Sequence, residues 1–156
     1  LEIIGNKIKK YSWSENFDNK NYRLDEYNLN PSITYLASDN NRINFFYKIS
    51  NINNSLGQQE SLTQQNFRIS LFLNQKEKKG FVSEFNYYKN NFVGDSNSII
   101  SYVMMNGLQN GENYTWSVRF QRKLSRLIDI NFIYQGRNSK NARTVHNGSI
   151  QLKAVF

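Results

Sequence analysis

The sequence predicts an all-β fold, an antiparallel up-and-down β-barrel of about eight or nine strands. Three observations carry that expectation. Apolar side chains recur at every second position over most of the 156 residues. Short, Asn-rich polar stretches separate these alternating runs, and Asn tolerates the left-handed conformations that turns need. Aromatic residues reach 15%, with 10 Tyr and 11 Phe, while the mean hydropathy is only -0.69. A chain poor in aliphatic bulk but rich in rings suits a barrel with a wet interior and aromatic girdles outside.

The elements follow in order. Residues 1–12 read as a less regular strand carrying Leu1, Ile3, Ile4 and Ile8, and residues 13–24 as a polar connection. Residues 25–156 read as regular hairpins, so that 1–156 form a single β-barrel unit. Tyr27, Leu29, Ile33 and Tyr35 alternate with polar neighbours, as do Ile43, Phe45, Tyr47 and Ile49. Phe67, Ile69, Leu71 and Leu73 form the next face, followed by Phe81, Phe85 and Tyr87. Residues 98–107 put Ile99, Ile100, Val103, Met104 and Met105 on both faces and count as an ambiguous strand. No helical spacing of apolar residues stands out. The Asn110-Gly111 pair is a hairpin signal. Tyr114, Trp116, Val118 and Phe120 then share a face, as do Ile128, Ile130, Phe132 and Tyr134. The series closes on Ile150, Leu152, Ala154 and the terminal Phe156.

Several chemistries are excluded or disfavoured. There is no cysteine, hence no disulfide, thiolate metal site or cysteine nucleophile. His146 is the one histidine, so no zinc set can form. Ser149, His146 and Asp129 nominally offer a nucleophilic triad, but no nucleophile motif surrounds the serine. Glu84, Asp95, Glu112 and Asp129 fall on different hairpins, and no calcium-loop pattern is present. The expectation is therefore a protein that is not an enzyme and takes no metal or cofactor. No run of 18 apolar residues exists for a transmembrane helix. The net charge of +8 admits nucleic acid, an anionic surface or a charged pore. The alternative is thus a soluble antiparallel β-domain that binds nucleic acid or another anionic partner through basic and aromatic residues. Against it, basic residues mostly alternate with the rings, whereas a stacking platform wants both on one face. No RNP-type signature is present either.

Alternation assigns the faces. Arg68, Glu84, Arg119, Lys123, Asp129 and Lys153 are expected in the lumen. Trp116, Phe120, Phe132, Tyr134 and Leu152 are expected at lipid or its interface. The apolar positions are even on both of the strands near 113–124 and 127–137. That parity puts Asp129 opposite Lys123 or Gln121, and an inward ladder of Arg119 and Lys123 with Asp129 follows. The Lys76-Glu77-Lys78-Lys79 turn and the loop bearing Arg137, Lys140 and Arg143 are candidate contacts for anionic lipid.

Residues 106–156 add a resemblance. Asn106-Gly-Leu-Gln-Asn-Gly-Glu-Asn-Tyr-Thr-Trp116, Gln121-Arg-Lys-Leu-Ser-Arg126, Tyr134-Gln-Gly-Arg137 and the ending on Phe156 resemble the last strands of large outer-membrane β-barrel proteins of Bacteroidota. The likeness is to their TonB-dependent-like and secretion-associated barrels. It implies the outer membrane of a Gram-negative bacterium, with the chain as the C-terminal part of a larger barrel. It also implies passage, anchoring or assembly as the role. Outer-membrane lipids, lipopolysaccharide, the barrel-assembly machinery and other envelope proteins are the implied partners, and nucleic acid is not. Ile150, Leu152, Ala154 and Phe156 would be the assembly signal. One expectation runs against the pattern. Counting back from a periplasmic C-terminus puts the longer connections, 53–64 and 91–98, on the periplasmic side, whereas such barrels carry long loops outside.

Overall fold

Period-two alternation of rings and β-branched residues with Asn, Ser and Gln leaves the backbone one economical solution, a laddered sheet. The computed structural model describes residues 1–16, 20–56, 59–75, 79–125, 127–140 and 142–154. It contains β1 (Glu2–Ser12), β2 (Tyr22–Ser38), β3 (Asn41–Asn54), β4 (Ser61–Gln75), β5 (Lys79–Val93), α1 (Ile99–Met104), β6 (Gly111–Lys123), β7 (Ile128–Ser139) and β8 (Val145–Ala154). The strands form one eight-stranded sheet in sequence order, and every neighbouring pair is antiparallel. The sheet is not closed: β1 and β8 each keep a free edge.

Residues 98–107 are not a strand. Ile99–Met104 form a short helix, capped by Ser98, whose Oγ accepts from the Ser101 N–H at 3.0 Å. The run is apolar on both strand faces, so a strand there would strand half of its apolar side chains. As a helix it aims Ile100 and Met104, with Met105 just beyond, at Leu24, Ile52, Leu62 and Phe92. These seven residues are the fully buried apolar cluster among the described residues. Asn110-Gly111 likewise closes no two-residue hairpin. Gly111, at φ +93°, ends the long 94–110 connection. The Asn110 side chain accepts from the Phe92 N–H at 3.0 Å, extending the β5 edge instead.

Removing that strand reverses the side assigned to every connection before it. β2–β3, β4–β5 and β6–β7 are joined at one end by short turns. The longer connections 13–21, 55–60, 94–110 and 140–144 all lie at the opposite end. The start of β1 and the end of β8 lie at the short-turn end. The expected conflict of loop lengths therefore disappears.

Register and burial define two faces. Even positions on β2–β5 and odd positions on β6–β8 share one face, because Asn86 pairs with Thr115 and Arg68 with Asn86. On that face Asn28, Ser50, Gln64, Asn66, Asn86 and Asn113 are buried. A single sheet buries its own side chains this deeply only by curling round them, so this is the concave face. α1 packs onto it at the long-connection end.

Candidate functional site

The concave face is polar and internally paired. Glu26, only 5% exposed, takes Lys10 from β1 and Lys48 from β3 at 3.1 Å each. Farther round, Arg68 Nε donates to Asn86 Oδ1 at 2.8 Å and lies 3.7 Å from the Glu84 carboxylate. Asn86 Nδ2 donates to Glu84 at 2.9 Å, and Gln64 Nε2 to Asn90 Oδ1 at 2.8 Å. Ser139 Oγ donates to the fully buried Asn113 Oδ1 at 2.6 Å. The Asn28, Asn30, Asn44 and Asn131 Oδ1 atoms and Ser50 Oγ have no partner among the described residues. Such acceptors suit an interior that admits water. Two rings on this face are covered by cations: Arg42 lies 4.4 Å over Phe72 and Arg68 5.0 Å over Phe46. A recess of about 480 Å³ opens where Glu84, Asn86, Thr115, Ser117, Gln135 and Arg137 converge.

The convex face is the reverse. Leu29, Ile33, Tyr35, Phe45, Phe67, Leu73, Phe85, Ile128, Ile150 and Leu152 are all exposed there. They form rows across neighbouring strands, such as Leu73–Phe81–Phe120–Phe132–Ile150. Soluble monomers rarely expose apolar surface this continuous. Toward the long-connection end the band is edged by Tyr27, Tyr87, Tyr114, Trp116 and Tyr134. The Tyr87 and Tyr114 rings are 5.3 Å apart.

One packing detail on this face depends on a glycine. Trp116, Gly136 and His146 are cross-strand neighbours in one row. The indole lies directly over the Gly136 α-carbon, where any β-carbon would collide with it. It thereby reaches His146, with ring centroids 5.8 Å apart, while Tyr134 Oη and His146 Nδ1 are 2.8 Å apart. Gly136→Val should expel the indole and cost about 1–3 kcal/mol, as overpacking does. In a Trp13→Phe background the Trp116 emission should shift. An unchanged spectrum and midpoint would refute this packing.

The expected site residues separate by face. Arg68, Glu84, Arg119, Lys123, Asp129 and Lys153 all lie on the concave face. Trp116, Phe120, Phe132, Tyr134, Ile150, Leu152 and Ala154 all lie on the convex one. Asp129 is opposite Lys123 on one side and Lys153 on the other. The inward ladder itself does not form: among the described residues Asp129 makes no ion pair within 4.0 Å, and Arg119 sits opposite Ile133. Lys123 and Lys153 are exposed near the short-turn end, where water screens them. Ser149 and His146 project from opposite faces, so the nominal triad with Asp129 is not assembled. Phe156 and residues 76–78 lie outside the described residues.

Sequence reading missed the Lys10–Glu26–Lys48 bridge and the buried amide network. The sequence suggests turns as the place for Asn, yet Asn28, Asn66, Asn86, Asn90 and Asn113 line the interior. Their even or odd position opposite the ring-bearing face was the available signal. Comparisons with family models, with curated proteins and with solved structures gave no match.

Proposed function

We propose that the chain is an outer-membrane β-barrel protein of a Gram-negative envelope, with its convex face in lipid. Its role is anchoring, assembly or passage there, without chemistry of its own. The observation that carries this reading is the inverted polarity of the sheet from β2 to β8: amides and the Glu26, Arg68 and Glu84 charges are enclosed while aliphatic and aromatic rows face out. The edge strand β1 departs from it, with Lys7 and Lys9 on its convex side. In water that arrangement is upside down, since burial of apolar area is what stabilises a fold. In a bilayer it is the stable arrangement.

Two further features support it. Short turns at one end and long connections at the other match the asymmetry of outer-membrane barrels. Tyr and Trp at the edge of the apolar band suit the lipid–water interface. Lipid and lipopolysaccharide are the partners that this surface fits, with the assembly machinery implied by the insertion such a sheet requires. Nucleic-acid binding is disfavoured, because Trp116, Tyr114 and Phe120 face away from Arg119, Arg68 and Lys123. The concave rings that do meet arginine are already covered by it.

Reconstitution of the Trp13→Phe variant into brominated phosphatidylcholine tests the reading. Trp116 fluorescence should be quenched, more by bromines near the headgroup than by those at the chain ends. A protein that stays monomeric in detergent-free buffer with Trp116 unquenched would overturn it.

A further inference from the structure

We propose that β1 and β8 pair with each other, closing the eight strands into a self-contained barrel. The proposal rests on the membrane reading, because an unpaired strand edge finds no water in lipid to satisfy it. It replaces the larger barrel that the resemblance implies.

Several observations make β8 the occupant of the free edge of β1. The two strands run in opposite directions: β1 leaves the short-turn end and β8 returns to it. Their lengths match, at 11 and 10 residues, and both are exposed over nearly their whole length. Their faces match too. Odd positions of β1 and even positions of β8 are convex, so pairing Ile3 with Ala154 through Ser12 with Val145 joins like face to like.

The existing registers set the geometry of closure. A row drawn square across the sheet from Glu2 passes through Phe46 and Asn86 and meets β8 at Val145. Full overlap of the edges puts Val145 beside Ser12, ten residues further along β1 (position 2 to position 12). For eight strands that stagger tilts them by about 40° from the barrel axis, within the range of known barrels.

The apolar band points the same way. Its upper border lies at Tyr27 on β2 but at Ile150 on β8. The square rows through these two residues are ten residues apart on β4, at Thr63 and Leu73. The band therefore descends along the strands from β2 to β8. It becomes level round an axis only when the strands tilt in the sense that this closure imposes. An eight-stranded barrel is filled by its own side chains, here Glu26, Lys48, Arg68 and Glu84, with α1 over one mouth. Closure thus favours anchoring or assembly over passage.

The chain has no cysteine, so engineered pairs report cleanly. Asn6→Cys with Gln151→Cys occupies directly opposed sites in the inferred register, within disulfide reach. Asn6→Cys with Ser149→Cys is two residues off, beyond it. Both are made in the Trp13→Phe background and oxidised in lipid vesicles, and brominated-lipid quenching of Trp116 is read on the same samples. Closure predicts an intramolecular crosslink at least ten-fold faster for the first pair. Faster crosslinking of the second pair overturns the register. Crosslinked dimers, or no crosslink in protein whose Trp116 is quenched, overturn closure while leaving the membrane reading standing. An intramolecular crosslink in unquenched, detergent-free protein supports closure and removes the membrane reading instead.

Discussion

Leu152→Arg should destabilise the lipid-inserted protein by about 1–3 kcal/mol, because the side chain lies inside the apolar band, one convex position beyond its border at Ile150. Its neighbour supplies the control. Gln151 lies one residue away on the concave face, opposite Asn131, and Gln151→Arg should stay within about 0.5 kcal/mol of the parent. The contrast separates two solvents for the same surface. Leu152 is 66% exposed. In water an arginine at so open a position is nearly free, whereas in hydrocarbon it must be dehydrated or must drag water and headgroups inward. Equilibrium unfolding in urea from lipid vesicles measures the difference. Equal midpoints for the two variants would mean that the convex face does not meet lipid.

Met104→Ala is the second large effect. Met104 is 2% exposed in the one apolar cluster found among the described residues, packed with Leu24, Leu62 and Phe92. Truncating a buried Met loses transfer free energy and leaves a cavity, at about 2–5 kcal/mol. α1 has only six residues and has no independent stability. The loss should therefore fall on its docking first. Limited proteolysis should cut within 94–110 in the variant while β2–β5 stay protected. Cleavage spread evenly over the chain would show instead that the cluster belongs to the global core of the sheet.

The two substitutions probe opposite kinds of stabilisation in one sheet. At Leu152 the lipid supplies the favourable environment, and no protein atom is needed to bury the side chain. At Met104 the protein supplies it, because the connection folds back over the trough. The layer beneath α1 belongs to neither kind. Glu26 holds two lysines, and Gln64 and Asn90 hold each other, so these enclosed groups are paired, while Asn28 Oδ1 and Ser50 Oγ beside them are left to water.

Much of this was legible in the sequence. Side-chain direction in a strand alternates with a period of two whatever lies around it. Tyr114, Trp116, Val118 and Phe120 therefore had to share a face before any partner strand was known. The same parity narrowed the partner of Asp129 to Lys123 or Gln121, and Lys123 is the one opposite it. What alternation cannot supply is anything that depends on distant residues. Ile99–Met104 are as apolar as a buried strand, and they became a helix because Leu24, Ile52, Leu62 and Phe92 offer a pocket from four different strands. That one long-range choice moved every long connection to the same end. The Lys10–Glu26–Lys48 bridge joins three strands and had no local signature at all. The sequence by itself thus determined that the chain forms strands and which side chains share each face, since both follow from bonds between neighbours. Which face closes inward, how the charges pair and where the one helix docks were decided by the tertiary structure, because each is a free-energy balance among residues that only the folded sheet brings together.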